Sequence, residues 1–268
     1  MKRCKRKIHF LFIMLLYAVH AVVLSLRTKN LKLLREKQIR LVTKYSRLAL
    51  QALNTHVMVE GNPIFVRQRG NYLIVANHMS YFDILVLASI FPAVYITSVE
   101  VRDSFFLGRM AKFAGSIFIE RRNKQNLDKE IEQVADILRE GFNVVLFAEG
   151  TSTNGEQVLR FKNSFMRAAF EADVEFLPVC LQYLEINGKT FGPENRDLVC
   201  YYGDMQFFPH FNALLSLDSV TAAVHFLPPI APAEIGCHKA AGEFAQKLVS
   251  KRYGLPFGRV ARQITTIR

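Results

Sequence analysis

The apolar run Tyr72-Leu-Ile-Val-Ala delivers Asn77 and His78 into a turn, and Asp83 follows five residues after the histidine. A histidine can take a proton from an alcohol near neutral pH, and a carboxylate on its other ring nitrogen would fix the tautomer and stabilise the imidazolium. At this spacing the two side chains can meet across the first turn of a helix. Asp83 also suits a first-turn acid complementing the helix dipole, with His78 as its neighbour. Two further strand ends are polar. Val144-Val-Leu-Phe-Ala runs into Glu149-Gly150-Thr151-Ser152-Thr153, where backbone N–H groups can face an anion or hydroxyls can satisfy their own turn. Gly115-Ser-Ile-Phe118-Ile-Glu120-Arg121-Arg122 ends a short strand with a carboxylate and two guanidiniums, a pattern that a solvated strand end also gives.

Such groups need a scaffold of strands ending at one edge. Beyond residue 54 the expected strands are Val57–Glu60, Tyr72–Ala76, Val94–Thr97, Ile117–Ile119, Val144–Phe147, Phe176–Leu181, Leu198–Tyr202 and Thr221–Phe226. Helices are expected near Tyr81–Ile90, Phe105–Phe113, Asn126–Glu140, Ser164–Ala172, Phe207–Leu215 and His238–Lys251. This alternation predicts an α/β fold, a mostly parallel sheet flanked by helices, with functional groups at the carboxyl ends of strands.

The formal net charge of +12 sits almost wholly at the front. Through residue 53 there are 13 Lys or Arg against Glu36 alone, which leaves 22 basic and 22 acidic residues behind. A nucleic-acid enzyme would carry its basic footprint on the globular part, so no nucleic-acid partner is expected. Ile8–Leu26 contains no Asp, Glu, Lys or Arg and is just long enough to cross a bilayer. A cleaved signal peptide is the rival reading, against which stand the length of the apolar part and the lack of a clear cleavage site. Leu31–Leu53 is a basic amphipathic helix that fits either a membrane interface or a connector packed on the domain. Together these segments predict an N-terminal membrane-associated helical hairpin. Residues 1–53 are then the basic anchoring segment and 54–268 the catalytic domain, with residues 8–53 holding it at the membrane. Cys4, Cys180, Cys200 and Cys237 show neither C-x-x-C nor zinc-ligand spacing. They and the basic flank Lys2–Lys7 favour a domain facing the cytoplasm, with no metal and no bound cofactor.

Taken in order, the three polar strand ends resemble the blocks of the glycerolipid acyltransferase family, whose best-known members acylate lysophosphatidic acid. The resemblance spans about residues 54–230. Its N-H-x4-D block is Asn77, His78 and Asp83; its G-x-x-F-[IV]-[DE]-R block is Gly115, Phe118, Ile119, Glu120 and Arg121. F-P-E-G-T appears as Phe147-Ala-Glu149-Gly150-Thr151, F-K-x-G as Phe161-Lys162-Asn163-Ser164, and the apolar run with proline as Phe176-Leu177-Pro178-Val179. The resemblance implies transfer of a fatty acyl group from acyl-CoA or acyl-carrier protein, as co-substrate, to the free hydroxyl of a lysolipid at the membrane. It implies His78 as general base and Asp83 as its orienter, with direct attack on the thioester and no acyl-enzyme. Backbone donors near Gly150 and Thr151 would meet the oxyanion. Asn77, Phe118, Glu120, Arg121, Glu149, Gly150, Thr151, Lys162 and Pro178 are the substrate-binding candidates, and a Glu149–Arg121 ion pair is the structural alternative for those two.

Members acting on lysophosphatidic acid usually carry Arg after E-G-T and often a Lys upstream of the second block. Here Ser152 and the stretch Thr97-Ser98-Val99 stand in those places. Arg121, Arg122, Arg160 or Lys162 could replace that phosphate grip; otherwise the acceptor is another lipid, such as a lyso-ornithine lipid or a lysophospholipid diester. A lipid hydrolase is the enzyme rival, but the chain contains no G-x-S-x-G elbow, and neither H-E-x-x-H nor a phosphate-binding P-loop. A non-catalytic membrane lipid-binding protein is the rival from outside enzymology.

Overall fold

A computed structural model describes residues 2–63, 71–104, 107–120, 126–257 and 265–266. The chain order is α1 (Lys2–Arg27), α2 (Leu31–Ala52), β1 (Thr55–Glu60), β2 (Leu73–Ala76), α3 (Phe82–Ile90), β3 (Val94–Ser98), α4 (Val99–Arg102), α5 (Leu107–Phe113) and β4 (Ile117–Ile119). It continues with α6 (Leu127–Arg139), β5 (Val144–Phe147), α7 (Arg167–Ala172), β6 (Phe176–Ile186), β7 (Lys189–Thr190), α8 (Phe207–Leu214), β8 (Val220–Phe226), α9 (Pro232–Ile235), α10 (His238–Tyr253) and β9 (Thr265–Thr266).

The sheet runs β4-β3-β5-β2-β6-β8-β1-β9, with β7 beside β6. From β4 to β6 every neighbouring pair is parallel, and β8 then pairs antiparallel with β6 but parallel with β1. The expected mostly parallel sheet is therefore present, its later part reversing direction. β2 and β5 are buried at every position, because helices cover both faces and leave no solvent side on which a polar residue could alternate. Helix α3, equally apolar all round, fills the layer between sheet and α2. On the opposite face α6 presents Ile131, Val134, Ala135 and Leu138 at helical spacing, with Asp128 and Glu130 in its first turn and Arg139 in its last.

Helices α1 and α2 form a hairpin, α2 being capped by Asn30, whose side chain accepts the Leu33 N–H at 2.9 Å. Phe10 and Ile13 of α1 join the core that contains β2 and α3. The basic N-terminus is partly tied down: Arg3 and Arg6 both pair with Asp218, in the segment between α8 and β8.

Leu198–Tyr202 is not a strand. Residues 196–198 form a 3-10 turn, closed by Val199 N–H to Arg196 O at 3.0 Å, and the expectation arose because Val199 and Cys200 are buried for packing rather than for pairing. Phe176–Leu181 extends to Ile186 because β8 supplies a second ladder as far as Val220. The expected helix from Phe105 starts at Leu107 among the described residues.

A buried ionic cluster pins the later strands. Glu60 Oε2 meets both His225 Nδ1 and the Arg252 guanidinium at 2.8 Å, while His225 Nε2 lies 2.9 Å from Gln182 Oε1. Burial, then the neighbouring guanidinium, lowers His225 to about 4.

Candidate active site

His78 lies just past β2, and the E-G-T turn lies just past β5, its neighbour in the sheet. Adjacent parallel strands carry their C-terminal turns side by side, so the first and third sequence blocks meet. His78 Nδ1 is 2.9 Å from Asp83 Oδ2. That same oxygen accepts the backbone N–H groups of Met79 at 2.6 Å and Ser80 at 2.9 Å, and Tyr183 donates its hydroxyl to Oδ1 at 2.6 Å. Asp83 is 0 % exposed, whereas the His78 side chain keeps 19 % of its surface open. The imidazole stacks on Phe147, centroids 4.0 Å apart and planes at 18°. With Nδ1 held by the carboxylate, Nε2 has no protein partner among the described residues. A base so placed can accept a proton from outside while its buried carboxylate steadies the resulting charge.

Other expected site residues serve the frame instead. The Asn77 amide donates to Leu181 O at 2.9 Å and accepts Leu181 N–H at 2.8 Å, continuing the β2–β6 ladder past Ala76 and Val179. Both ends of its amide are occupied and it is buried, so it cannot hold substrate in this arrangement. Glu149, 3 % exposed, accepts the His78 N–H at 2.6 Å and the Leu159 N–H at 2.8 Å. It bolts the histidine turn to the 150–160 loop rather than reaching toward an acceptor. Burial pushes its carboxyl up to about 7, opposed by those two N–H groups and aided by the nearby Asp83 charge.

Gly150 takes φ +71°, a region costly for side chains, and a Cβ there would come within 2.7 Å of Lys162 Nζ. The Lys162 ammonium thus lies against the E-G-T turn. Gly150 N–H already donates to Phe147 O at 3.1 Å, so of the two backbone donors expected for an oxyanion, only that of the exposed Thr151 is uncommitted among the described residues. Pro178 is buried inside β6, opposite Val75. Phe118 and Glu120 lie half-buried at β4, three strands along from β2, about 14 Å away at the usual strand spacing. They share the edge with His78 without being brought to it. Arg121 and Arg122 lie outside the described residues.

The hydroxyls of the polar turn hold the site's frame, and Tyr183, Tyr201 and Tyr253 join them without a sequence signal of their own. Thr153 holds the His78 carbonyl through its N–H at 3.0 Å and its hydroxyl at 3.2 Å, and Tyr201 N–H holds the Met79 carbonyl at 2.8 Å. Ser152 turns its hydroxyl to the Tyr201 carbonyl. Tyr253 reaches from α10 to Gly155 O at 2.5 Å and to Met79 Sδ at 3.4 Å. For Tyr183 the only signal is strand register: once Ala76 faces Val179, Leu181 and Tyr183 lie beyond it beside the Asn77–Asp83 turn.

Residues 56–182 match the family model described as acyltransferase. The chain is 33% identical over 165 residues to the lyso-ornithine lipid O-acyltransferase of Brucella abortus, a match covering 59% of this chain and 62% of that protein. It is 31% identical over 164 residues to the 1-acyl-sn-glycerol-3-phosphate acyltransferase of Neisseria meningitidis, covering 61% and 64% respectively. In both cases the match spans less than two thirds of the relative's length. The crystal structure of the 1-acyl-sn-glycerophosphate acyltransferase PlsC from Thermotoga maritima superposes with a TM-score of 0.70 at 18% identity, over 98% of this chain and 100% of that one. That likeness shows the same fold. Over residues 56–182, just under half of the chain, this protein therefore carries an acyltransferase domain match, its ordered blocks resemble those of the glycerolipid acyltransferases, and its fold is that of PlsC.

Proposed function

We propose that this protein is an O-acyltransferase moving a fatty acyl group from a thioester, acyl-CoA or acyl-carrier protein, to the free hydroxyl of a lysolipid. The observation that carries the reading is the His78–Asp83 pair: one ring nitrogen clamped at 2.9 Å by a fully buried carboxylate, the other open. In this scheme Nε2 takes the proton as the acceptor oxygen attacks the thioester carbonyl, and the imidazolium then returns it to the departing thiolate. No acyl-enzyme forms. Thr151 N–H is the backbone donor for the oxyanion, and such a donor contributes a few kcal/mol in a dry site, about 3 where removal has been measured. Lys162 faces the anionic part of a substrate beside the turn.

Within this reading, an acceptor other than lysophosphatidic acid has specific support. Ser152 occupies the place where an arginine would grip a phosphomonoester, and its hydroxyl is turned into the Tyr201 carbonyl. Relatives named for lyso-ornithine lipid match at identities close to those named for 1-acylglycerol 3-phosphate.

The enzyme works at a membrane, with α1 embedded by one face. Its exposed residues include Ile8, Leu11, Leu15, Val19 and Leu26, all on one side, while Phe10, Ile13, Tyr17 and Ala21 on the other are buried against the protein. We place α1 within one leaflet, because Phe10 and Ile13 belong to the core of the domain that stands outside the bilayer. We place the catalytic domain on the cytoplasmic side, as the basic flank and the free cysteines favour.

The test is incorporation of radiolabelled acyl groups from acyl-CoA and acyl-carrier protein into a panel of lysophosphatidic acid, lysophospholipid diesters and lyso-ornithine lipid. Product with at least one acceptor, lost in His78→Ala, supports the reading; no product with any pairing, or full turnover in His78→Ala, rejects it.

A further inference from the structure

Helix α8 carries Phe208, 72% exposed, on a helix of only eight residues that borders α1. Phe211 meets Phe10 edge-on at 6.0 Å, and Asn212 accepts from Lys7 Nζ at 2.8 Å. Further along, Asp218 pairs with Arg6 and Arg3. As the chain advances through 211, 212 and 218 its partners on α1 retreat from 10 to 7 and then to 6 and 3. Phe208 stands one turn before Asn212, the residue Lys7 reaches, and Leu11 stands one turn after Lys7 on the exposed apolar face of α1. Leu11 is itself half exposed. The apolar surface of α1 therefore does not stop at that helix.

Behind Phe208 an unbroken series of rings leads inward. Phe207 lies 5.4 Å from Phe208, stacks on Phe211 at 5.3 Å and meets Tyr81 at 5.1 Å. Tyr81 is three residues from His78, contacts Tyr201 at 5.4 Å, and lies 2.8 Å from His210 Nδ1 through its hydroxyl. Rings with one polar tip suit the boundary between acyl chains and headgroups. We infer that α8 is a second membrane-docking element, with Phe208 entering the phospholipid bilayer beside Leu11 of α1 and the aromatic series marking the side on which lipid approaches His78. This rests on the reading of α1 as embedded. The occupant is bilayer because exposed Phe208 is carried by the helix that borders α1, itself long and apolar enough to cross a membrane and flanked by a basic N-terminus suited to anionic headgroups.

The chain contains no tryptophan, so each single Phe→Trp variant carries a unique fluorophore. Phe208→Trp, Phe12→Trp on α1 and Phe244→Trp on α10 all change exposed rings of the full-length protein. α10 packs on the other face of the sheet. Each variant is bound to vesicles of anionic phospholipid brominated in the acyl chains, and its emission is compared with that on unbrominated vesicles. The expected result is loss of most emission for Phe12→Trp and Phe208→Trp and none for Phe244→Trp. Quenching of Phe12→Trp without Phe208→Trp overturns the role of α8 and leaves α1 embedded. Quenching of neither overturns both, and equal quenching of Phe244→Trp overturns the sidedness on which the inference depends.

Discussion

Tyr183 donates its hydroxyl to Asp83 Oδ1 at 2.6 Å, while Oδ2 takes His78 Nδ1 at 2.9 Å. The two oxygens of one buried carboxylate thus link β6 to His78 at the end of β2. Burial, with the Asp83 charge adding to it, holds the Tyr183 hydroxyl protonated far above its ordinary range. It is a fixed donor that disperses charge on Asp83. Removing it leaves Oδ1 buried without that donor and the carboxylate less firmly held against His78, so Tyr183→Phe should lower kcat by roughly tenfold. KM for the acceptor should stay unchanged. An unchanged kcat would make Tyr183 a packing residue only.

His78→Ala should lower turnover by about 10²–10⁴-fold, the usual contribution of a general base. Its thermal midpoint should stay near that of the parent, because the ring is partly open at the rim. Asp83→Asn should lose activity on a similar scale and also lose stability, since two backbone N–H groups and the Tyr183 hydroxyl converge on that carboxylate. Initial rates and thermal melts of the purified variants separate the two effects.

Asn77→Ala should destabilise by about 2–4 kcal/mol, because Leu181 N–H and C=O would be left buried without partners. Chemical denaturation measures it. A stability loss below half a kcal/mol, with affinity for the acceptor weakened instead, would return Asn77 to the substrate.

Glu149 supplies a pH signature. Its carboxyl is raised from 4.5 to about 7 on folding, so between those values the folded state holds a proton that the unfolded chain has released. Stability from this group therefore falls as pH rises through that window and is flat above it. The stability of the parent relative to Glu149→Gln should decline between pH 4.5 and 7 by up to about 3 kcal/mol. Urea midpoints of both proteins across that range test the sign, and a rising difference would show that the two N–H groups outweigh burial.

By itself the sequence determined the chemistry-bearing blocks and the layered α/β plan. Strand ends such as Ala76-Asn77-His78 and Phe147-Ala148-Glu149 announce themselves through local pattern, an apolar run ending in polar groups, and local pattern survives in a linear string. The His78–Asp83 contact was legible as one of two arrangements that five residues across one turn allow, the other being Asp83 as a first-turn acid of α3. Tertiary structure alone decided what Asn77, Glu149 and Tyr183 do. Their partners lie 104, 71 and 100 residues away, at Leu181, His78 and Asp83. A hydrogen bond across such a separation depends on which strands become neighbours and in what register, and neither is encoded in the spacing of the residues that form it. The same holds for Val199 and Cys200, whose apolar character looked like a strand yet serves packing, because burial and pairing demand the same residue types.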